Sequence, residues 1–68
     1  MHELSIASGI LDLVRQHVPE GRLADVRAVE VKVGRLSGVV ADSLVFSFEA
    51  LVQDTELARS RLVIEEVP

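Results

Sequence analysis

The 68-residue sequence contains no cysteine, no tryptophan and no tyrosine, and its two aromatic residues are both phenylalanine. Without cysteine, the chain can form neither a disulfide framework nor a zinc site built on thiolates. Few aromatic rings, with only seven basic residues against eleven acidic ones, argue against a nucleic-acid-binding surface. No apolar run approaches the roughly 20 residues of a membrane-spanning helix. No signal peptide is recognisable at the N-terminus, so we expect a cytoplasmic protein.

A chain of this length predicts one small domain, over residues 1–68, with a core of aliphatic side chains. Hydrophobic residues make up 49% of the sequence. A domain of this size buries only about 60% of the surface that its unfolded chain exposes, so its stability is marginal. Dense aliphatic packing, self-association or a covalent continuation of the chain could each add to that stability.

The most regular pattern in the sequence is a helical one between residues 4 and 18. Apolar residues recur there at spacings of three and four, which places them on one face of a helix. These residues are Leu4, Ala7, Leu11, Val14 and Val18, with Ile6, Ile10 and Leu13 widening the stripe. Pro19 and Gly21 end the helix, and residues 22–26 are predicted as a connection. Gly9 costs about 1 kcal/mol relative to alanine inside a helix, which indicates a close contact on that face.

Two stretches predict β-strands, and a second helix lies between them. Residues 28–33 alternate with period two, and residues 61–67 form another apolar, β-branched run. Asp42 is placed to cap a helix predicted over residues 43–53. The order helix, strand, helix, strand predicts an α+β fold with two parallel strands joined by a right-handed crossover. Because two strands alone make a poor sheet, we expect that a third strand of the fold is missing from this chain.

Phe46 departs from the apolar face of the second predicted helix. That face is formed by Leu44, Val45, Phe48, Leu51 and Val52. At about 100° per residue, the side chain of Phe46 points elsewhere. It could pack under a loop, which is the interpretation that we favour, or contact a partner protein.

The first three residues carry the densest group of metal-binding atoms in the sequence. The amine of Met1 and the backbone nitrogen of His2 can close a chelate ring on a metal, and Nδ1 of His2 adds a second ring. The backbone nitrogen of Glu3 can fill a fourth in-plane position, and its carboxylate an axial one. Nitrogen-rich sites of this kind favour Ni(II) or Cu(II) over Mg(II) or Ca(II). Because amines and imidazoles must be deprotonated to coordinate, binding should weaken below neutral pH. The alternative is a frayed terminus without function.

The remaining polar residues predict no second site. His17 lies near the end of the first helix, where an interaction with the helix dipole is more frequent than metal ligation. Glu65 and Glu66 are adjacent on a strand and therefore point to opposite faces. With no cysteine and only two histidines, no pair of nucleophile and base can be assembled. We therefore expect a protein that is not an enzyme.

Four blocks of sequence occur in an order and at separations that match a known family. They are MHELSIA (residues 1–7), VEVKVGRLS (29–37), DSLVFSFE (42–49) and LVIEEVP (62–68). The chain resembles the HypA (HybF) family of hydrogenase-maturation nickel metallochaperones. The resemblance implies a nickel-binding domain with its metal at Met1, His2 and Glu3. It also implies an acid near the start of the second helix, for which Asp42 is the nearest match.

The resemblance implies partners and a missing part as well. The implied partners are a hydrogenase-maturation GTPase and the large subunit of [NiFe]-hydrogenase, which receives Ni(II). Family members continue into a zinc domain with two Cys-x-x-Cys pairs and return with a third strand. This chain resembles the nickel-binding domain alone, as a truncated product or an engineered fragment, so no zinc ligands are expected. The alternative function is an interaction module without metal that associates, also with itself, through an exposed sheet edge.

Overall fold

The computed structural model describes residues 2–68, and Met1 lies outside the described residues. The elements are α1 (Glu3–His17), a 3₁₀ helix (Glu20–Asp25), β1 (Ala28–Gly34), α2 (Ala41–Val52) and β2 (Arg61–Val67). The predicted α+β fold and its order of two helices and two strands are confirmed. The 3₁₀ helix falls in a segment that had been predicted in part as a connection.

The first helix, α1, follows its predicted boundaries to within one residue. Its first turn carries the acidic Glu3 and its last turn carries Arg15 and His17, and both arrangements favour the helix dipole. Ala7 is the buried residue of this helix, whereas the leucines of the predicted stripe at its two ends remain more than half exposed. The close contact predicted at Gly9 is wrong, because a methyl group added there would meet nothing within 4 Å.

The two strands pair in parallel along their whole lengths, with Ala28 opposite Arg61 and Gly34 opposite Val67. On β1 the side chains alternate between half-buried and exposed, and the valines of the strand lie on the half-buried face. The parallel pairing agrees with a crossover through α2. Within residues 2–68, the sheet consists of these two strands.

The second helix, α2, is the central layer of the molecule. It packs against α1 on one side and against β2 on the other. The buried hydrophobic residues are Ala7, Leu23, Leu44, Phe48, Val52, Leu57 and Leu62, and three of these belong to α2. Because α1 reaches the rest of the core mainly through α2, the position of α2 decides where the N-terminal helix lies.

Two predictions about α2 are corrected by the structure. The helix starts at Ala41 after the N-cap residue Val40, so Asp42 lies inside its first turn and is not the cap. An acidic side chain in the first turn is still favoured by the helix dipole. Phe46 is 72% exposed, so the interpretation that it packs under a loop is wrong.

Among residues 2–68, no helix is long and apolar enough to cross a membrane.

The connection between α2 and β2 is held by hydroxyl side chains. Thr55 Oγ1 donates to the Val52 carbonyl at 2.6 Å and accepts from the Leu57 amide at 3.1 Å. The buried Ser60 Oγ donates to the Leu57 carbonyl at 2.8 Å. Residues 53–59 form a series of turns between α2 and β2.

Candidate metal centre

The candidate metal centre lies at the start of α1, where backbone nitrogens are not used by the helix. His2 is the N-cap residue, with φ −94° and ψ 99°. Its carbonyl accepts the first helical hydrogen bonds, from the amides of Ser5 at 3.1 Å and Ile6 at 3.2 Å. The amides of His2 and Glu3 precede these donors and have no acceptor in the helix. A metal can therefore replace their protons without breaking a helical hydrogen bond.

The imidazole of His2 is free to turn toward a metal. The residue is exposed, and its side chain makes no capping hydrogen bond. Binding a metal would therefore remove no capping bond from α1. Met1, whose amine is the other predicted side of the chelate, lies outside the described residues.

The carboxylate of Glu3 is engaged by the second helix. Its Oε2 accepts the amide of Val40 at 3.2 Å, and Val40 is the N-cap residue of α2. The Val40 amide, followed by the amide of Glu3 itself, holds the pKa of the Glu3 carboxyl below its ordinary value of 4.5. Glu3 is therefore ionised at neutral pH, with its negative charge at the N-terminal end of α2.

Among residues 2–68, the structure does not bring Asp42 into a ligand set with His2 and Glu3. Asp42 is exposed in the first turn of α2, two residues after the Val40 amide that Glu3 binds. Within residues 2–68, no three acidic or histidine side chains come together in a group that could hold a metal ion. A site at this end of the molecule therefore depends on main-chain nitrogens and the terminal amine, together with His2.

The other polar residues considered from the sequence lie apart from this centre. His17 is exposed in the last turn of α1, at the opposite end of the helix from Glu3. On β2, Glu65 lies opposite Lys32 and Glu66 lies opposite Val33. Adjacent strand residues face opposite sides of the sheet, so the two glutamates do not form a carboxylate pair.

One functional group at the start of α2 was missed by sequence reasoning. The group is the main-chain amide of Val40, which donates a hydrogen bond to Glu3. The side chain of Val40 is 56% exposed. Every residue except proline carries such an amide, so no side-chain pattern could have indicated it.

Comparisons with known proteins assign the chain to a family. Residues 1–68 match the family model described as hydrogenase/urease nickel incorporation, metallochaperone, HypA. The hydrogenase maturation factor HypA of Chloroflexus aggregans is 46% identical over 68 residues, which cover all of this chain and 60% of that protein. The factor of the same name from Streptomyces avermitilis is 46% identical over 69 residues, covering all of this chain and 53% of that protein.

A third relative extends the range of organisms. The hydrogenase maturation factor HypA of Geobacter metallireducens is 44% identical over 68 residues, covering all of this chain and 59% of that protein. The chain thus spans roughly half to three-fifths of the length of these curated relatives. The resemblance in the four sequence blocks is confirmed, and the family description names a metallochaperone and no catalyst. The chain belongs to the HypA family of hydrogenase and urease nickel-incorporation metallochaperones.

Proposed function

We propose that this chain is a nickel-binding domain that takes up Ni(II) at its N-terminus for delivery to [NiFe]-hydrogenase during maturation. The observation that carries the proposal is the match of residues 1–68 to a family described by nickel incorporation. The ligands that we propose are the amine of Met1, the backbone nitrogen and Nδ1 of His2, and the backbone nitrogen of Glu3. The exposed His2 side chain supports this choice, as does its place at the start of a helix whose first amides make no helical hydrogen bond.

The donor set agrees with nickel as the proposed cargo, and the family description favours nickel over copper. Four nitrogen donors in one plane suit Ni(II) or Cu(II), and oxygen-seeking cations would be bound poorly. Each coordinated amide loses a proton, so two amides together balance the charge of the dication. Protons are released on binding, and the affinity therefore falls as the pH is lowered. The opposite faces of the plane stay open, which allows an incoming ligand to take over the ion.

We propose two partners from the family assignment. The relatives are named hydrogenase maturation factors, which supports partners in hydrogenase maturation. The partners that we propose are a maturation GTPase in nickel handling and the hydrogenase large subunit as the recipient. Two exposed leucines of α1, Leu4 near the metal end and Leu13 in its second half, offer apolar contact area on this helix. Such contacts would bring a recipient close to the terminus.

Nickel titration calorimetry on the chain with a free N-terminus tests the proposal. His2→Ala and a single glycine added before Met1 should each weaken Ni(II) binding by more than about a hundredfold. This loss exceeds the roughly 10–100-fold effect of changing only a group that supports a ligand. His17→Ala is the matched control, since it removes the other histidine at the far end of α1. It should leave the affinity unchanged.

Tight binding that survives both terminal changes would overturn the proposed site. The alternative function, association through a sheet edge without metal, predicts a different result. It requires a dimer whose population rises with protein concentration and is the same with and without nickel. The two-stranded sheet among residues 2–68 leaves one edge of each strand unpaired, which is the feature that this alternative uses.

A further inference from the structure

The starts of the two helices are joined by a single contact between a side chain and the main chain. Glu3 Oε2 accepts the Val40 amide at 3.2 Å, across 37 positions of sequence. Glu3 is half-buried, whereas the residues on either side of it, His2 and Leu4, are exposed. The contact therefore holds the first turn of α1 through Glu3, while the residues next to Glu3 face solvent.

The Val40 amide is available for this contact because α2 does not use it. As the N-cap residue, Val40 accepts the first hydrogen bond of α2 through its carbonyl, from Leu44 at 3.0 Å. The preceding amide, that of Val39, is bound by Ser37 Oγ at 3.2 Å. Two consecutive amides at the entry to α2 are thus bound by side-chain oxygens, one local and one from α1.

We propose that Glu3 is a positioning residue for the terminal nickel site, anchoring the start of α1 to α2 through its carboxylate, and that this carboxylate is not a nickel ligand. The inference rests on the proposed function for the existence of the nickel site. It assigns the side chain and the main chain of Glu3 to different tasks, since the backbone nitrogen remains a proposed ligand.

The anchor, which is the hydrogen bond between Glu3 and Val40, limits fraying of the first turn of α1. Terminal residues fray unless a contact fixes them. The first buried residue of α1 is Ala7, one full turn after Glu3, so core packing alone leaves the first turn weakly held. Fixing that turn in advance reduces the entropy that the ligands lose when they close around a metal.

Ligation by the carboxylate would compete with the anchor. A metal on Oε2 would take the acceptor of the Val40 amide, and a metal on Oε1 would draw negative charge away from Oε2 and from the N-terminal end of α2. Both effects oppose a role for the Glu3 carboxylate as an axial ligand.

Four variants separate the anchor from the ligands. Glu3→Ala removes the acceptor, and Glu3→Gln keeps an acceptor oxygen at the same reach. Val40→Pro removes the donor while residues 1–3 stay intact. Because the φ of −91° at Val40 is more negative than that of proline, circular dichroism must show that this variant keeps its fold. Val40→Ala is the matched control, because it keeps the amide and removes only a side chain that is already largely exposed.

Three measurements are made on each variant: the Ni(II) dissociation constant by calorimetry, the visible absorption spectrum of the nickel complex, and circular dichroism as a check of folding. Glu3→Ala and Val40→Pro should weaken binding by about three- to tenfold, the range that corresponds to the typical net contribution of one hydrogen bond near solvent. The absorption spectrum should not change, because the donor atoms are the same. Val40→Ala should match the unmodified chain, and Glu3→Gln should restore part of the lost affinity.

A shifted absorption band in Glu3→Ala would show that the carboxylate is a ligand and would overturn the proposal. Equal affinities for Val40→Pro and Val40→Ala would overturn it as well. Amide hydrogen exchange at Val40, measured without metal, is expected to be faster in Glu3→Ala than in the unmodified chain. If the unmodified chain binds no nickel, the proposed function and the positioning role fall together. The exchange experiment then still shows, separately, whether the anchor exists.

Discussion

Replacing Phe48 with alanine should remove a large part of the stability of the protein, whereas the same replacement at Phe46 should change little. The two side chains are identical and lie on the same helix, but Phe48 is 0% exposed and Phe46 is 72% exposed. Phe48 is among the largest fully buried side chains of the core formed by α1, α2 and β2. Truncating it removes transfer free energy and leaves a cavity.

The expected magnitude follows from burial and size. A buried phenylalanine changed to alanine costs about 3–5 kcal/mol of unfolding free energy. A domain of 68 residues has a total of about 3–10 kcal/mol, at roughly 0.05–0.15 kcal/mol per residue. Phe48→Ala should therefore remove between about a third and all of the free energy of unfolding. Phe46→Ala should stay within about 0.5 kcal/mol, as for other exposed positions.

Thermal unfolding followed by circular dichroism measures the difference. For a domain of this size, a loss of about 3 kcal/mol lowers the midpoint by at least roughly 12 °C. The two variants are compared at several protein concentrations, since a dependence on concentration would reveal that Phe46 is covered by association. A loss below about 1 kcal/mol at Phe48, or equal losses at both positions, would refute the assignment of α2 as the central layer.

Four further predictions concern the first helix, two turns and one ion pair. Gly9→Ala should stabilise the protein by about 0.5–1 kcal/mol in urea unfolding, because the added methyl group meets nothing within 4 Å. Gly38→Ala should instead destabilise it by about 1 kcal/mol, since Gly38 has φ +81°. Thr55→Val, which removes two hydrogen bonds in a half-buried turn, should lower the free energy of unfolding by about 1–3 kcal/mol. Thr55→Ser keeps the hydroxyl and should retain most of this stability. The amide of Glu56 itself and the Arg15 guanidinium hold the pKa of Glu56 below 4.5. The ionised Glu56 carboxylate therefore stabilises the protein above pH 4.5, and this stabilisation is lost as the pH falls through the lowered pKa. The difference in melting temperature between the unmodified chain and Glu56→Gln should therefore disappear in acid.

An unchanged stability of Gly38→Ala would contradict the left-handed backbone conformation at that turn, and the other three predictions have contradicting outcomes of their own. A destabilised Gly9→Ala would mean that a partner or a second copy approaches α1 at that position. A smaller cost for valine than for serine at Thr55 would mean that the methyl group, and not the hydroxyl, holds the turn. A melting difference at Glu56 that is constant with pH would exclude its carboxylate as the cause.

The regular elements could be predicted because their apolar periods are strong. The helix predicted over residues 4–18 follows an apolar period of 3.6, and the strand predicted over residues 61–67 is an apolar, β-branched run. The structure reproduces both elements closely. The start of α2 was placed too late because Asp42 has the chemistry of a cap, although a negative charge is equally favoured one or two residues inside the helix. Phe46 was misjudged because periodicity gives the direction of a side chain and not what covers it.

The candidate site could be predicted only in part. The donor atoms of Met1, His2 and Glu3 follow from residue type, and their role as a nickel site stays a prediction. The contact of Glu3 with Val40 could not be foreseen, because its donor is a main-chain amide 37 positions away and its formation depends on how α1 packs on α2. Long-range contacts to main-chain groups leave no trace in a single sequence.

Both helices point their N-terminal ends at the same place, where Glu3 meets Val40. Each helix end carries the equivalent of roughly half a positive charge. A dication seated there would be repelled by two such ends, and only the deprotonated amides and the nearby Glu3 carboxylate would offset that repulsion. Such a site would hold its ion by bonds to nitrogen while the surrounding field opposes it. Protonation of the amides would remove the bonds and leave the repulsion, so the nickel site that we propose would also release its ion once an acceptor supplies better ligands.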